Sequence, residues 1–87
     1  MSPWEKVKAL AKTNALHKKK GFRRNNVKPE EILAHAAQEF DELCKEPDDI
    51  KELADIYGCL IHYAQVKGWT QEEIDKAIVE KLSQRFE

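Results

Sequence analysis

Cysteine, glycine and proline are all scarce in this chain. The two cysteines, Cys44 and Cys59, form no CxxC or comparable metal-binding spacing, and nothing marks an oxidising compartment. Each falls within an apolar periodic segment, so both read as small buried hydrophobes. Three glycines and three prolines leave long stretches without a breaker. Apolar runs are short as well. None approaches the roughly 20 residues that a membrane span requires. The opening "MSPWEKVKALAKTNAL" lacks the apolar segment of a secretory signal, so a cytoplasmic protein is expected. There is no strand-like alternation, no repeat and no low-complexity tract. No serine or cysteine is accompanied by a His/Asp arrangement suited to nucleophilic catalysis.

What remains is helix. Ser2-Pro3 pairs a capping residue with proline at a first helical position, predicting a helix over about 3–19 that Gly21 ends. Pro29 opens a second helix, with Glu30 and Glu31 in its first turn. Its apolar stripe runs through Ile32, Leu33, Ala36, Ala37, Phe40, Leu43 and Cys44 until Pro47 stops it. Asp48 or Asp49 caps a third helix, ending at Gly68. Its apolar residues cover well over half its circumference, which predicts extensive burial. Thr70 and Glu73 form a capping box for a fourth helix. Trp4, Tyr57 and Phe86 are assigned to the core. The expected fold is all-α, a compact single-domain bundle of about four helices over residues 1–87. It divides into a basic helix and loop (1–28), a hairpin of helices two and three (29–67) and a C-terminal helix (70–87). At 87 residues a monomer buries little of its surface, so completion by oligomerisation is expected.

The charge is unevenly distributed. Net charge is −1. Residues 1–28 nevertheless carry nine Lys/Arg against one acid, and residues 29–87 carry six against fifteen. Eight acids crowd into "EFDELCKEPDDIKELAD", residues 39–55. Glu42 and Glu52 lie five residues either side of Pro47, and Glu39 and Asp55 eight either side. Two antiparallel helices of equal rise would bring each acid level with its counterpart. Within each pair, the i, i+3 spacing puts both side chains on one face. Glu39, Glu42, Glu52 and Asp55 are therefore candidate ligands of a hard divalent cation such as Mg²⁺ or Mn²⁺. The alternative is a solvated acidic face, and that reading holds for Asp41, Glu46, Asp48 and Asp49. His35 and His62 share faces with the acids and read as supporting or packing residues; His17 is expected to face solvent.

The motifs "QEFDE" (38–42) and "ELAD" (52–55) resemble the EExxE…ExxD signature of the MazG-like all-α nucleoside triphosphate pyrophosphohydrolases. The similarity spans about residues 28–87, including Pro29, Gly68-Trp69 and a closing "VEKLSQRFE" like the family's KL-x-x-R tail. Gln38 replaces the first glutamate, and the link between the motifs is short. The resemblance implies a hydrolase using Mg²⁺, with Mn²⁺ as substitute, that splits a nucleotide between its α and β phosphates. It also implies a homodimer or homotetramer whose neighbouring subunits help wall the pocket. In that mechanism the carboxylates hold metal, and Glu39 or Glu42 orients or deprotonates the attacking water. Lys19, Lys20, Arg23 and Arg24, with Lys81 and Arg85, would grip the remaining phosphates.

Several residues admit other roles. "KKKGFRR" is also similar to a nucleic-acid or nuclear-localisation patch, or a helix end complementing its dipole. Phe22 and Trp69, at helix breaks, suit surface packing or stacking on a base. Two rival functions stay open. One is a phosphoribosyl-ATP pyrophosphatase, although the Ser-Tyr-Thr segment associated with that group is missing. The other is a non-catalytic helical module that binds nucleic acid or an acidic partner. On the leading reading neither nucleic acid nor a membrane is an expected partner.

Overall fold

The structure, a computed structural model, describes residues 1–12 and 28–87. Among the described residues there are four helices and no strand: α1 (Pro3–Lys12), α2 (Pro29–Lys45), α3 (Ile50–Lys67) and α4 (Gln71–Phe86). The second half of the expected first helix and the basic loop lie outside the described residues, and with them His17, Lys19, Lys20, Phe22, Arg23 and Arg24.

The helix ends follow the local chemistry of the sequence. Ser2 Oγ accepts the Glu5 N–H at 3.2 Å, which satisfies one of the open donors of α1. Pro29 opens α2, where its missing N–H costs nothing. Asp49, rather than Asp48, caps α3 by accepting the Lys51 N–H at 2.9 Å. Gly68 ends α3 at φ 84°, a left-handed conformation that glycine adopts without a Cβ clash. Trp69 N–H then reaches back to the Ala64 carbonyl at 2.9 Å. Thr70 and Glu73 complete the capping box of α4 reciprocally.

α3 is the hub. It packs along α2 on one side and against α1 on another. Ile32 of α2 and Cys59 of α3, both fully buried, form the centre of the core, and Ala36 and Tyr63 close around them. The Cys59 thiol donates to the Ile32 carbonyl at 3.5 Å. His62 and Ala64 are buried as well. Gln65 Nε2 donates to the Trp4 carbonyl at 2.9 Å, which ties α1 to the far end of α3.

Three core assignments need correction. Cys44 is exposed, and so are Tyr57 and Phe86. The predicted extensive burial of α3 is also only partly realised, because Ile50, Leu53 and Leu60 remain open to solvent. The reason is spatial. Among the described residues, α2 packs along one flank of α3, α1 packs against another part of it, and α4 does not pack along it. Periodicity reveals that a face is apolar but not whether a neighbour of the same chain covers it.

Candidate metal centre

Glu39 extends from the middle of α2, while Glu52 and Asp55 occupy the first two turns of α3. Packing of α2 on α3 brings one carboxylate oxygen from each within 4.8 Å of the other two. Three acids from two helices therefore converge, as the spacing either side of Pro47 predicts. Glu42 does not join them. It is exposed and lies outside the triad, yet it is close enough to act electrostatically on Glu52.

The surroundings of the triad are only partly aqueous. Glu39 is 13% exposed, and its Oε1 lies 3.1 Å from Nε2 of His35, one helical turn earlier. That contact restrains the Glu39 carboxylate. The sequence puts His35 on the same face as the acids, and its i, i+4 spacing from Glu39 permits the pairing. Glu52 Oε2 is buried with no hydrogen-bond partner among the described residues. A buried carboxylate oxygen left without a donor is costly, so the oxygen is suited to a cation.

The Glu52 pKa is raised from its ordinary value. Burial is the largest cause, followed by the negative charges of Glu42, Asp55, Asp49 and Glu39. Its position in the first turn of α3 pulls the other way, since the helix dipole favours an anion there. Burial and four carboxylates outweigh the dipole. A hard cation would reverse the balance by giving all three acids a shared positive partner. Oxygen ligands opposite each other stand about 4.2 Å apart across Mg²⁺ and roughly 4.6–5.2 Å apart across Ca²⁺. The triad oxygens lie within 4.8 Å of one another, so one cation could draw all three, and the donor set is all oxygen.

A pH dependence follows. A carboxylate whose folded pKa lies above its unfolded value favours folding most below the unfolded value. That contribution is lost as pH rises through the folded pKa. In EDTA, Glu52→Gln should therefore raise the thermal midpoint at neutral pH, and the gain should shrink as pH falls towards 4.5, the ordinary value for Glu52. Thermal scans of both proteins across that range are the check. A variant no more stable than the parent at neutral pH would contradict the assigned burial and repulsion.

Of the expected phosphate-binding side chains, Lys81 and Arg85 are exposed on α4 and make no ion pair among the described residues. The structure does not bring them to the triad. Trp69 packs edge-on against Tyr63, with ring centroids 6.0 Å apart, and the Lys67 ammonium lies 5.7 Å from the Trp69 centroid. Both contacts are surface packing. His62 is enclosed in the core, as a packing residue. No helix of the described residues is long and apolar enough to cross a membrane. No protein-family model matches the chain, and comparisons with curated proteins and with solved structures gave no match.

Proposed function

We propose that the chain is a Mg²⁺-dependent nucleotide pyrophosphohydrolase of the MazG-like type, with α2 and α3 as its antiparallel metal-binding hairpin. The observation that carries this reading is the convergence of Glu39, Glu52 and Asp55, with one Glu52 oxygen buried and lacking a donor. The similarity of "QEFDE" and "ELAD" to the family signature adds to it. A dimer or tetramer is the working form in this reading.

Glu39, Glu52 and Asp55 would hold the ion, and His35 would keep Glu39 turned towards it. Bound there, Mg²⁺ would neutralise phosphate oxygens and polarise a water. Glu42 stands beside the triad but outside it, so its carboxylate is left for proton transfer. It orients the water and takes its proton as the oxygen adds to phosphorus and the bridging P–O bond breaks. The products are a nucleoside monophosphate and pyrophosphate. Lys81 and Arg85 would balance the remaining phosphate charge when α4 of this or another subunit brings them near.

The test is incubation of purified protein with a panel of canonical and damaged (d)NTPs and Mg²⁺, with pyrophosphate and monophosphate quantified. Equimolar release of both from at least one nucleotide is expected. No release from any of them, together with no thermal shift from Mg²⁺ or Mn²⁺, would leave the helical interaction module as the better account. Salt-sensitive retention of nucleic acid would then be the next observation to seek.

A further inference from the structure

His35 lies outside both acidic motifs, one helical turn before Glu39. Its Nε2 meets Glu39 Oε1 at 3.1 Å, and the two side chains are only 22% and 13% exposed. An ionised carboxylate only accepts, so the imidazole N–H is the donor. A neutral ring with its proton on Nε2 and an imidazolium both make this bond, so its geometry does not depend on the charge of His35. The three acids are therefore not equivalent. Glu39 Oε1 is already engaged, Glu52 Oε2 is buried with no hydrogen-bond donor among the described residues, and Asp55 is exposed. Ligation through both Glu39 oxygens requires both to face the ion, and an N–H held on one of them competes with that. With the bond kept, Glu39 gives a cation one oxygen rather than two.

Cations differ in how much that restriction costs them. Ca²⁺ gathers about six to eight oxygens at roughly 2.3–2.6 Å, often by taking both oxygens of a carboxylate. Mg²⁺ holds about six at roughly 2.0–2.1 Å in a rigid octahedron, keeps several waters and is content with single carboxylate oxygens. One oxygen from each of Glu39, Glu52 and Asp55 fills half an octahedron and leaves the other half to water or substrate. The same three oxygens fall well short of what Ca²⁺ gathers. Ligand number is one of the properties that separates these two ions, and here a side chain that touches neither ion sets it.

We propose that the His35–Glu39 bond is a cation-selectivity device, which restricts Glu39 to one oxygen and so favours a small octahedral ion, Mg²⁺ or Mn²⁺, over Ca²⁺. His35 is a positioning residue that acts through Glu39. The inference rests on the reading of the triad as a metal site and adds what decides the ion that enters it.

The test is calorimetric titration of the full chain with Mg²⁺ and, separately, with Ca²⁺, at one pH and without nucleotide. His35→Leu removes the donor and keeps the bulk, and His35→Ala removes both. His35→Gln keeps an N–H at similar reach. None of the three carries charge, so the difference between Gln and the other two reports the donor itself. Circular dichroism should show helix content unchanged in all three, because the His35 side chain is partly open to solvent. The ratio of the Ca²⁺ Kd to the Mg²⁺ Kd should fall by about tenfold in His35→Leu and His35→Ala and stay within about threefold of the parent in His35→Gln. Equal weakening of both ions would make His35 a structural support alone and overturn the proposal. So would a Gln variant that behaves like Leu. An unchanged ratio with binding intact removes this proposal and leaves the metal site standing, whereas a parent chain that binds neither ion removes both.

Discussion

On the proposed function, Asp55→Asn should abolish pyrophosphate release and Mg²⁺-induced stabilisation together, whereas Glu42→Gln should abolish release and keep the stabilisation. The two acids are separated by their positions. Asp55 belongs to the triad within 4.8 Å, and Glu42 does not. Loss of a ligand removes the charge that holds the cation. An ion of this kind contributes several kcal/mol at the transition state, and about 4 kcal/mol corresponds to roughly a thousandfold in rate. Loss of the water-orienting carboxylate should cost about 10²–10⁴-fold with the ion still in place. In EDTA both variants should be at least as stable as the parent, because each removes one negative charge from a crowded site. Turnover by single-turnover product analysis and thermal midpoints with and without Mg²⁺ are the two measurements. Equal loss of stabilisation in both variants would make Glu42 a ligand, and unaltered stabilisation in Asp55→Asn would remove the triad from consideration as a metal site.

Ile32→Ala should be the most damaging substitution for the fold itself. Ile32 is fully buried at the contact of α2 with α3, where Cys59, Ala36 and Tyr63 enclose it. Truncating a buried isoleucine typically costs about 2–5 kcal/mol through lost transfer energy and the cavity left behind. A chain of this length holds only roughly 4–13 kcal/mol of net stability, so the loss is a large fraction of the whole. It should also weaken cation binding, since the same helix contact carries Glu39 to Glu52 and Asp55. Denaturant titration at fixed protein concentration measures the loss. A cost below about 1 kcal/mol would mean that the contact of α2 and α3 is not the core of the domain. Phe86→Ala offers the contrast. Phe86 is exposed, so its truncation should barely alter the stability of the chain.

Much of the secondary structure was legible in the residues because helix ends are governed by local chemistry. Pro29, Pro47, Gly68 and the Thr70–Glu73 box each act within four residues of themselves, and each marks a boundary of a helix in the structure. The candidate site was legible for a related reason. Spacing either side of Pro47 determines which acids are level if the two helices lie against each other, and three of the four met. Glu42 escaped that reasoning because levelness along the axis does not determine rotation about it. The packing leaves Glu42 exposed and outside the triad. His35 as the partner of Glu39 was available from spacing alone, but many i, i+4 pairs never close.

Burial was the least legible property. Cys44, Tyr57 and Phe86 all fit apolar periodic patterns, and all three are exposed. Periodicity reports the character of a helix face, not the presence of something opposite it.

The residues by themselves determined four helix starts, the ends at Gly68 and before Pro47, and the acids that two neighbouring helices could share. All of these depend on interactions within a few positions or on a symmetric count about one turn. Only the tertiary structure decided that Glu39, Glu52 and Asp55 meet while Glu42 stands aside, and that α4 does not pack along α3. Rotation of one helix against another, and the distance between them, come from summed packing over the whole contact, and no short stretch of sequence encodes that sum.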